Sequence, residues 1–123
     1  MSARQRIALV LSLACAVLIL AGPPKLWGHA VLVESSPKAG STVKGPDVPF
    51  LLRFNVRVDG SRSRFTLVLP DGSNRPVPLD AQTKPDTLAA RATGLIAGKY
   101  KLQWQVLAAD GHISRGELSF TIQ

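Results

Sequence analysis

Apolar and polar residues alternate most regularly in the last third of the chain. From Tyr100 to Val106 every second residue is apolar, and the run from Glu117 to Ile122 alternates in the same way. A period of two places successive side chains on opposite faces of a β-strand. Both runs are therefore predicted to be strands with one face buried.

Shorter runs of β-type sequence precede these two and are separated by turn-forming residues. They lie at 30–33, 49–58, 64–69, 75–79 and 87–93. The third run ends at the turn signal 70–73, and two prolines limit 75–79 to a sheet edge. Seven short strands with no helical period predict an all-β fold, an immunoglobulin-like antiparallel β-sandwich with Greek-key connections.

The interior of this sandwich is expected to be built without a disulfide. The chain has one cysteine, Cys15, which lies in the N-terminal apolar run. Stability must therefore come from the apolar core. We expect that core to be centred on Trp104, with Phe50 and Phe65 also inside.

The first 28 residues have a different pattern. A short basic stretch at 2–6 is followed by an apolar run at 7–22 and by a helix-breaking segment that ends at Gly28. This is the layout of a secretory signal peptide. We predict a signal peptide at 1–28 and one mature, exported domain at 29–123.

Two alternatives to cleavage before His29 remain open. An uncleaved anchor would need about 20 apolar residues to span a bilayer as a helix, and the run at 7–22 is shorter. Lipid attachment at Cys15 would need a matching sequence before it, and the segment 12–14 fits that pattern poorly.

The charge of the mature domain argues against one class of function, the binding of nucleic acids. The formal net charge of the chain is +7, but Arg4, Arg6 and Lys25 leave with the signal peptide. The remaining basic residues are scattered, whereas nucleic-acid-binding proteins usually carry a basic stripe. We therefore expect no nucleic-acid partner. We expect the mature form to be soluble and monomeric.

The two histidines of the chain, His29 and His112, are candidate metal ligands. Cleavage before His29 would free its α-amine, and the amine and the imidazole Nδ1 could then bind the same ion. Asp110 and His112 are two positions apart, so their side chains would project to the same side of an extended segment. Gly111 between them would let the chain turn without steric cost.

This donor set would supply three nitrogens and one oxygen. Cu(II) prefers tetragonal N,O sites, whereas Cu(I) favours sulfur ligands, and Met1 and Cys15 are the only sulfur-containing residues. Zinc is the alternative metal, although it prefers a tetrahedral arrangement. Asp-Gly-His is also an ordinary turn sequence in which the histidine is exposed. The metal interpretation therefore depends on both histidines together.

Two motifs resemble the CopC family of periplasmic copper-binding proteins. The N-terminal one is His29-Ala30-Val31-Leu32 followed by Ser36-Pro37-Lys38-Ala39-Gly40-Ser41. The C-terminal one is Tyr100-x-Leu-x-Trp104, then Ala109-Asp110-Gly111-His112, Gly116 and Phe120. The resemblance spans 29–123. It implies an immunoglobulin-like sandwich that binds Cu(II) through His29, Asp110 and His112 outside the cytoplasm. Members are associated with copper resistance or uptake, often beside an inner-membrane protein called CopD.

The sequence departs from this family in two respects. Some members carry a methionine-rich Cu(I) site, and residues 29–123 contain no methionine. Members with a further acidic residue near the Cu(II) site carry it after the phenylalanine of the second strand, where this chain has Asn55-Val56 after Phe54 and no glutamate. The resemblance therefore implies a single-site type that binds one Cu(II) per chain.

The function predicted on this basis is that of a copper carrier or buffer, not of an enzyme. One alternative is a copper monooxygenase-like enzyme, because such enzymes also use an N-terminal histidine on an immunoglobulin-like scaffold. Few aromatic residues are left to form a substrate surface, and fold alone does not fix function. The other alternative is a metal-free immunoglobulin-like module that docks to a membrane partner.

Overall fold

A computed structural model of the protein describes residues 29–123, and eight β-strands follow one another in this part of the chain. The predicted signal peptide and Cys15 lie outside the described residues. The strands are β1 (Leu32–Ser36), β2 (Ser41–Val43), β3 (Val48–Phe54), β4 (Val58–Val68), β5 (Asn74–Val77), β6 (Thr87–Ala92), β7 (Gly98–Ala108) and β8 (Ile113–Ile122). Between residues 29 and 123 no helix has the length and apolar character that a membrane span needs.

The strands form two sheets, with the orders β1-β3-β6 and β2-β8-β7-β4-β5. This confirms the predicted immunoglobulin-like β-sandwich. The prediction of purely antiparallel pairing is wrong at one place, because β2 pairs with β8 in parallel. The sequence analysis did not find β2, since three residues are too short to show a period of two.

The core lies between the two sheets and is filled from alternate positions of the long strands. Buried and exposed residues alternate along the whole of β3. The ring of Phe120 packs edge-on against Phe50 at 5.6 Å and stacks on Tyr100 at 5.5 Å. Phe50 and Phe65 are each only 1% exposed, so their expected place in the core is confirmed. Full burial of such a side chain contributes about 1.5–3 kcal/mol.

Trp104 is not the centre of this core, and that expectation is wrong. Its side chain is only partly buried, and it packs against the core with its ring 6.3 Å from that of Phe54. Trp104 is paired with Gly116 across β7 and β8. The indole ring occupies the space that a side chain at Gly116 would need. The phenylalanine and tyrosine rings take the central place instead.

Most strand boundaries differ from those predicted by one or more residues, and the largest changes concern the first half of the domain. The first strand begins at Leu32, not at Ala30, and β4 is longer than the predicted 64–69 because it begins at Val58. The segment 49–58 is not one strand, because β3 ends at Phe54 before the next strand begins. After this end of β3 the N–H of Asn55 donates to the carbonyl of Val31, at 3.0 Å, one pair beyond the Leu32–Phe54 pair of β1 and β3.

Two local predictions are confirmed between β4 and β6. β5 lies at the edge of its sheet, next to β4 only. The turn before it has Gly72 at a φ of 86°, and the Leu69 N–H donates to the Ser73 carbonyl at 2.9 Å. The carboxylate of Asp71 accepts hydrogen bonds from the N–H and the hydroxyl of Ser73, at 2.9 and 2.6 Å.

Replacement of Gly116 by alanine should destabilise the domain by about 1–3 kcal/mol, as overpacking does. A Cβ at this position would lie within 2.9 Å of three atoms of the Trp104 ring. Urea unfolding measures the free energy, and the fluorescence of Trp104, the only tryptophan of 29–123, reports on the ring. Ser119→Ala on the exposed face of the same strand is the control. Unchanged stability and emission in Gly116→Ala would contradict the packing described.

The Asp71 turn should make stability depend on pH. The hydrogen bonds from Ser73, led by its hydroxyl, hold the pKa of the Asp71 carboxyl below its ordinary value. A pKa that is lower in the folded state stabilises that state above the unfolded-state pKa, and the contribution is lost as the pH falls through the folded-state pKa.

Asp71→Asn should therefore be less stable than the wild type at neutral pH, with a difference that shrinks at acidic pH. Urea unfolding at pH 7 and at a pH below the folded-state pKa measures both values. Asp80→Asn is the control, because the Asp80 carboxylate makes no hydrogen bond or ion pair within the described residues. A difference that stays the same at both pH values would rule out the charge as its source.

Candidate metal centre

The connection between β7 and β8 is a tight turn that brings Asp110 and His112 together. The Ala108 N–H donates to the His112 carbonyl at 2.8 Å, and the Gly111 N–H donates to the Ala108 carbonyl at 2.9 Å. Gly111 has a φ of 92°, a value that favours glycine. The turn that Gly111 was expected to allow is confirmed, and the two side chains converge because the chain turns here and does not run extended.

Asp110 contacts His112 with both carboxylate oxygens. Oδ1 accepts a hydrogen bond from the backbone N–H of His112 at 3.1 Å, and Oδ2 lies 3.2 Å from the ring Nδ1. The backbone hydrogen bond is the main reason why the pKa of Asp110 is lowered; desolvation opposes it, and the hydrogen bond and charge of the imidazole add to the lowering. The carboxylate therefore carries a negative charge at neutral pH beside the imidazole.

The segment that precedes β1 lies across the end of the sandwich that carries this turn. The N–H of Ala30 donates to the buried hydroxyl of Ser114 at 2.9 Å, and the N–H of Val31 donates to Oδ1 of Asn55 at 2.8 Å. Ser114 follows His112 by two residues on β8. The hydrogen bond to Ser114 therefore brings the N-terminal segment to the strand that begins beside the turn.

As a result, the two histidines are neighbours. The ring centroids of His29 and His112 are 6.3 Å apart, with the ring planes inclined at 55°. A first-row metal ion lies about 2 Å from an imidazole nitrogen, so two rings bound to one ion have centroids at most about 6–6.5 Å apart. The separation in the structure is within that limit.

The structure does not bring the three predicted ligands into a single cluster. Asp110 contacts His112, and His112 neighbours His29, but among residues 29–123 no group of three His, Cys, Asp or Glu side chains is arranged to hold a metal ion. The fourth predicted donor, the α-amine of His29, exists only after cleavage of the bond to Gly28. The donor types fit copper, and the α-amine would add a third nitrogen to the two imidazoles.

Two residues of this region escaped the sequence analysis. Ser114 is one of two buried polar residues in the described part of the chain, and Asn55 was noticed only as the position where some CopC members have a glutamate. The sequence did carry a signal for Ser114. It lies on the same face of β8 as Leu118 and Phe120, the face that points into the core. No comparable signal marks Asn55, because its partner lies in a segment without regular structure.

Comparison with known proteins identifies the family of this chain. The CopC domain matches residues 32–123. The crystal structure of CopC from Methylosinus trichosporium OB3b is 31% identical, with a TM-score of 0.72, and the match covers 77% of this chain and 94% of that one.

Two curated Escherichia coli proteins are each 26% identical over 103 residues. They are Protein YobA of strain K12, with 81% of this chain and 83% of that protein covered, and Copper resistance protein C, with 77% and 82% covered. The family match covers nearly all of the described residues, and the two-sheet fold matches that of a CopC crystal structure. The chain therefore belongs to the CopC domain family.

Proposed function

We propose that this protein is an exported copper-binding protein that holds one Cu(II) ion. The ligands are the α-amine and imidazole of His29, the carboxylate of Asp110 and the imidazole of His112. The observation that carries the proposal is the 6.3 Å separation between the rings of the only two histidines in the chain. One of these follows the predicted signal peptide directly, and the other is paired with a carboxylate.

The donor chemistry supports copper in its oxidised state. Nitrogen and oxygen donors suit Cu(II), and residues 29–123 contain neither cysteine nor methionine to favour Cu(I). The ionised Asp110 carboxylate lowers the net positive charge of an ion bound beside it. Its Oδ2 lies 3.2 Å from Nδ1 of His112, so the carboxylate and the imidazole are neighbouring donors.

The exposure of the site supports a role in holding and transferring the ion. The His112 side chain is 55% exposed, and His29 is exposed as well. A bound ion is therefore accessible to an exchanging partner. The protein acts as a periplasmic copper carrier or buffer in copper resistance or uptake, as the name of its relative Copper resistance protein C suggests. The mature form works as a soluble monomer and exchanges copper with a CopD-like protein of the inner membrane.

Addition of one alanine before His29 should weaken Cu(II) binding strongly, because it removes the free amine from the chelate. The affinity should fall by more than the roughly 10- to 100-fold that loss of an outer-shell partner costs. Competition with a calibrated chelator measures the dissociation constant, and intact mass of protein from the exported fraction fixes the natural N-terminus. Lys101→Ala, an exposed change on β7, is the control. Equal affinity of the mature and extended proteins would exclude the N-terminal chelate.

Replacement of His112 by alanine should remove one nitrogen ligand. The nitrogen hyperfine pattern in the Cu(II) EPR spectrum should then become simpler, and the affinity should fall at least as far as in the extended protein. Arg115→Ala, three residues further along β8, should leave the spectrum unchanged. An unaltered spectrum in His112→Ala would place the copper elsewhere.

Asp110→Asn tests the carboxylate separately, because asparagine keeps an acceptor for the backbone N–H of His112 but loses the charge and the second carboxylate oxygen. The affinity should fall by at least the roughly 10- to 100-fold that loss of an outer-shell partner costs, while thermal unfolding of the apoprotein changes little. An affinity equal to that of the wild type would remove Asp110 from the site. A large loss of stability in the apoprotein would assign Asp110 to the turn instead.

A further inference from the structure

His29 has no place in either sheet. The first paired residue of the N-terminal segment is Leu32, which faces Phe54 in the register of β1 and β3. The position of His29 beside His112 must therefore be set by contacts of the two residues between His29 and β1. These contacts are three hydrogen bonds that join Ala30 and Val31 to Ser114 and Asn55; the segment donates two of them and accepts one.

The first contact is buried. Ala30 is 7% exposed and Ser114 is 9% exposed, and the Ala30 N–H donates to the Ser114 hydroxyl at 2.9 Å. A buried N–H without an acceptor is costly, so this hydroxyl fixes the backbone directly after His29. His112 ends the turn and Ser114 is the second residue of β8, so Ile113 alone separates them. The start of β8 therefore sets the places of both imidazoles.

The second contact is a pair of hydrogen bonds between Asn55 and Val31. The side-chain Oδ1 of Asn55 accepts from the Val31 N–H at 2.8 Å, and the Asn55 N–H donates to the Val31 carbonyl at 3.0 Å. Asn55 follows β3 in the three-stranded sheet, whereas Ser114 belongs to the five-stranded sheet. The N-terminal segment is thus bound to both sheets: Ala30 to the five-stranded sheet through Ser114, and Val31 to the end of the three-stranded sheet through Asn55.

From these contacts we propose that Ser114 and Asn55 are positioning residues of the copper site. They hold the N-terminal segment so that the amine and imidazole of His29 are pre-arranged next to His112, and neither residue contacts the ion. This inference rests on the proposed function. Without these two acceptors, residues 29–31 would have to be ordered when copper binds, and the lost conformational entropy would weaken binding.

A double-mutant cycle separates positioning from a general effect on the fold. Cu(II) affinity is measured for the mature protein and for the Ala-extended protein, each with and without Ser114→Ala. In the mature protein the substitution should weaken binding by about tenfold or more, as loss of an outer-shell partner does. In the extended protein, which keeps the imidazole of His29 but lacks its free amine, the same substitution should weaken binding by a smaller factor, because one of the two donors that Ser114 positions is gone.

Asn55 provides a second variant at an exposed site, where folding is less at risk. Asn55→Ala should weaken Cu(II) binding in the mature protein, and Asn55→Asp should restore most of it because the aspartate keeps the Oδ1 acceptor. The matched controls are Ser119→Ala on β8 and Asn74→Ala on β5, whose side chains make no hydrogen bond in the described part of the chain. EPR of the Ser114 and Asn55 alanine variants should show a component with the spectrum of the extended protein.

The outcomes distinguish this inference from the proposed function. If Ser114→Ala and Asn55→Ala leave the affinity of the mature protein unchanged, or weaken both protein forms by the same factor, the positioning role is wrong while the copper site stands. If the mature wild type binds Cu(II) no more tightly than the extended protein, the proposed coordination itself is wrong.

Discussion

The pairing of β7 with β8 is the interaction on which the rest of the structure depends. The two strands are in register from Gly98 and Ile122 at one end to Leu107 and Ile113 at the other. Because side chains alternate along a strand, this register decides which residues of β8 enter the core. Phe120 joins the aromatic centre, Gly116 leaves room for Trp104, and Ser114 meets the N-terminal segment.

The same hairpin links the stability of the fold to the candidate site. Its turn holds Asp110 against His112, and its second strand supplies the buried hydroxyl that receives the N–H of Ala30. A shift of one residue in the register would turn every side chain of β8 to the other face. The core and the histidine pair would be lost together. The strand that stabilises the sandwich therefore also sets the geometry of the proposed copper ligands.

The sequence predicted those features of the structure that a short stretch of residues determines by itself. Alternation identified the β7 and β8 strands, and Gly111 identified the turn. The two histidines indicated the candidate ligands, although their coordination remains a proposal. Features that depend on distant parts of the chain were missed: the parallel pairing of β2 and the break of 49–58 at Asn55 follow from contacts with remote residues. Trp104 was misplaced for a related reason, because its position depends on the glycine across the hairpin.

The hydrogen bonds of the N-terminal segment bear on the order of folding and of cleavage before His29. The donors and acceptors in the segment belong to Ala30 and Val31, and none of the three bonds uses the nitrogen of residue 29. The sandwich can therefore make these contacts whether or not a peptide precedes His29. With the proposed coordination, folding and metal competence are separate steps, and hydrolysis of one peptide bond turns a folded precursor into a chelator.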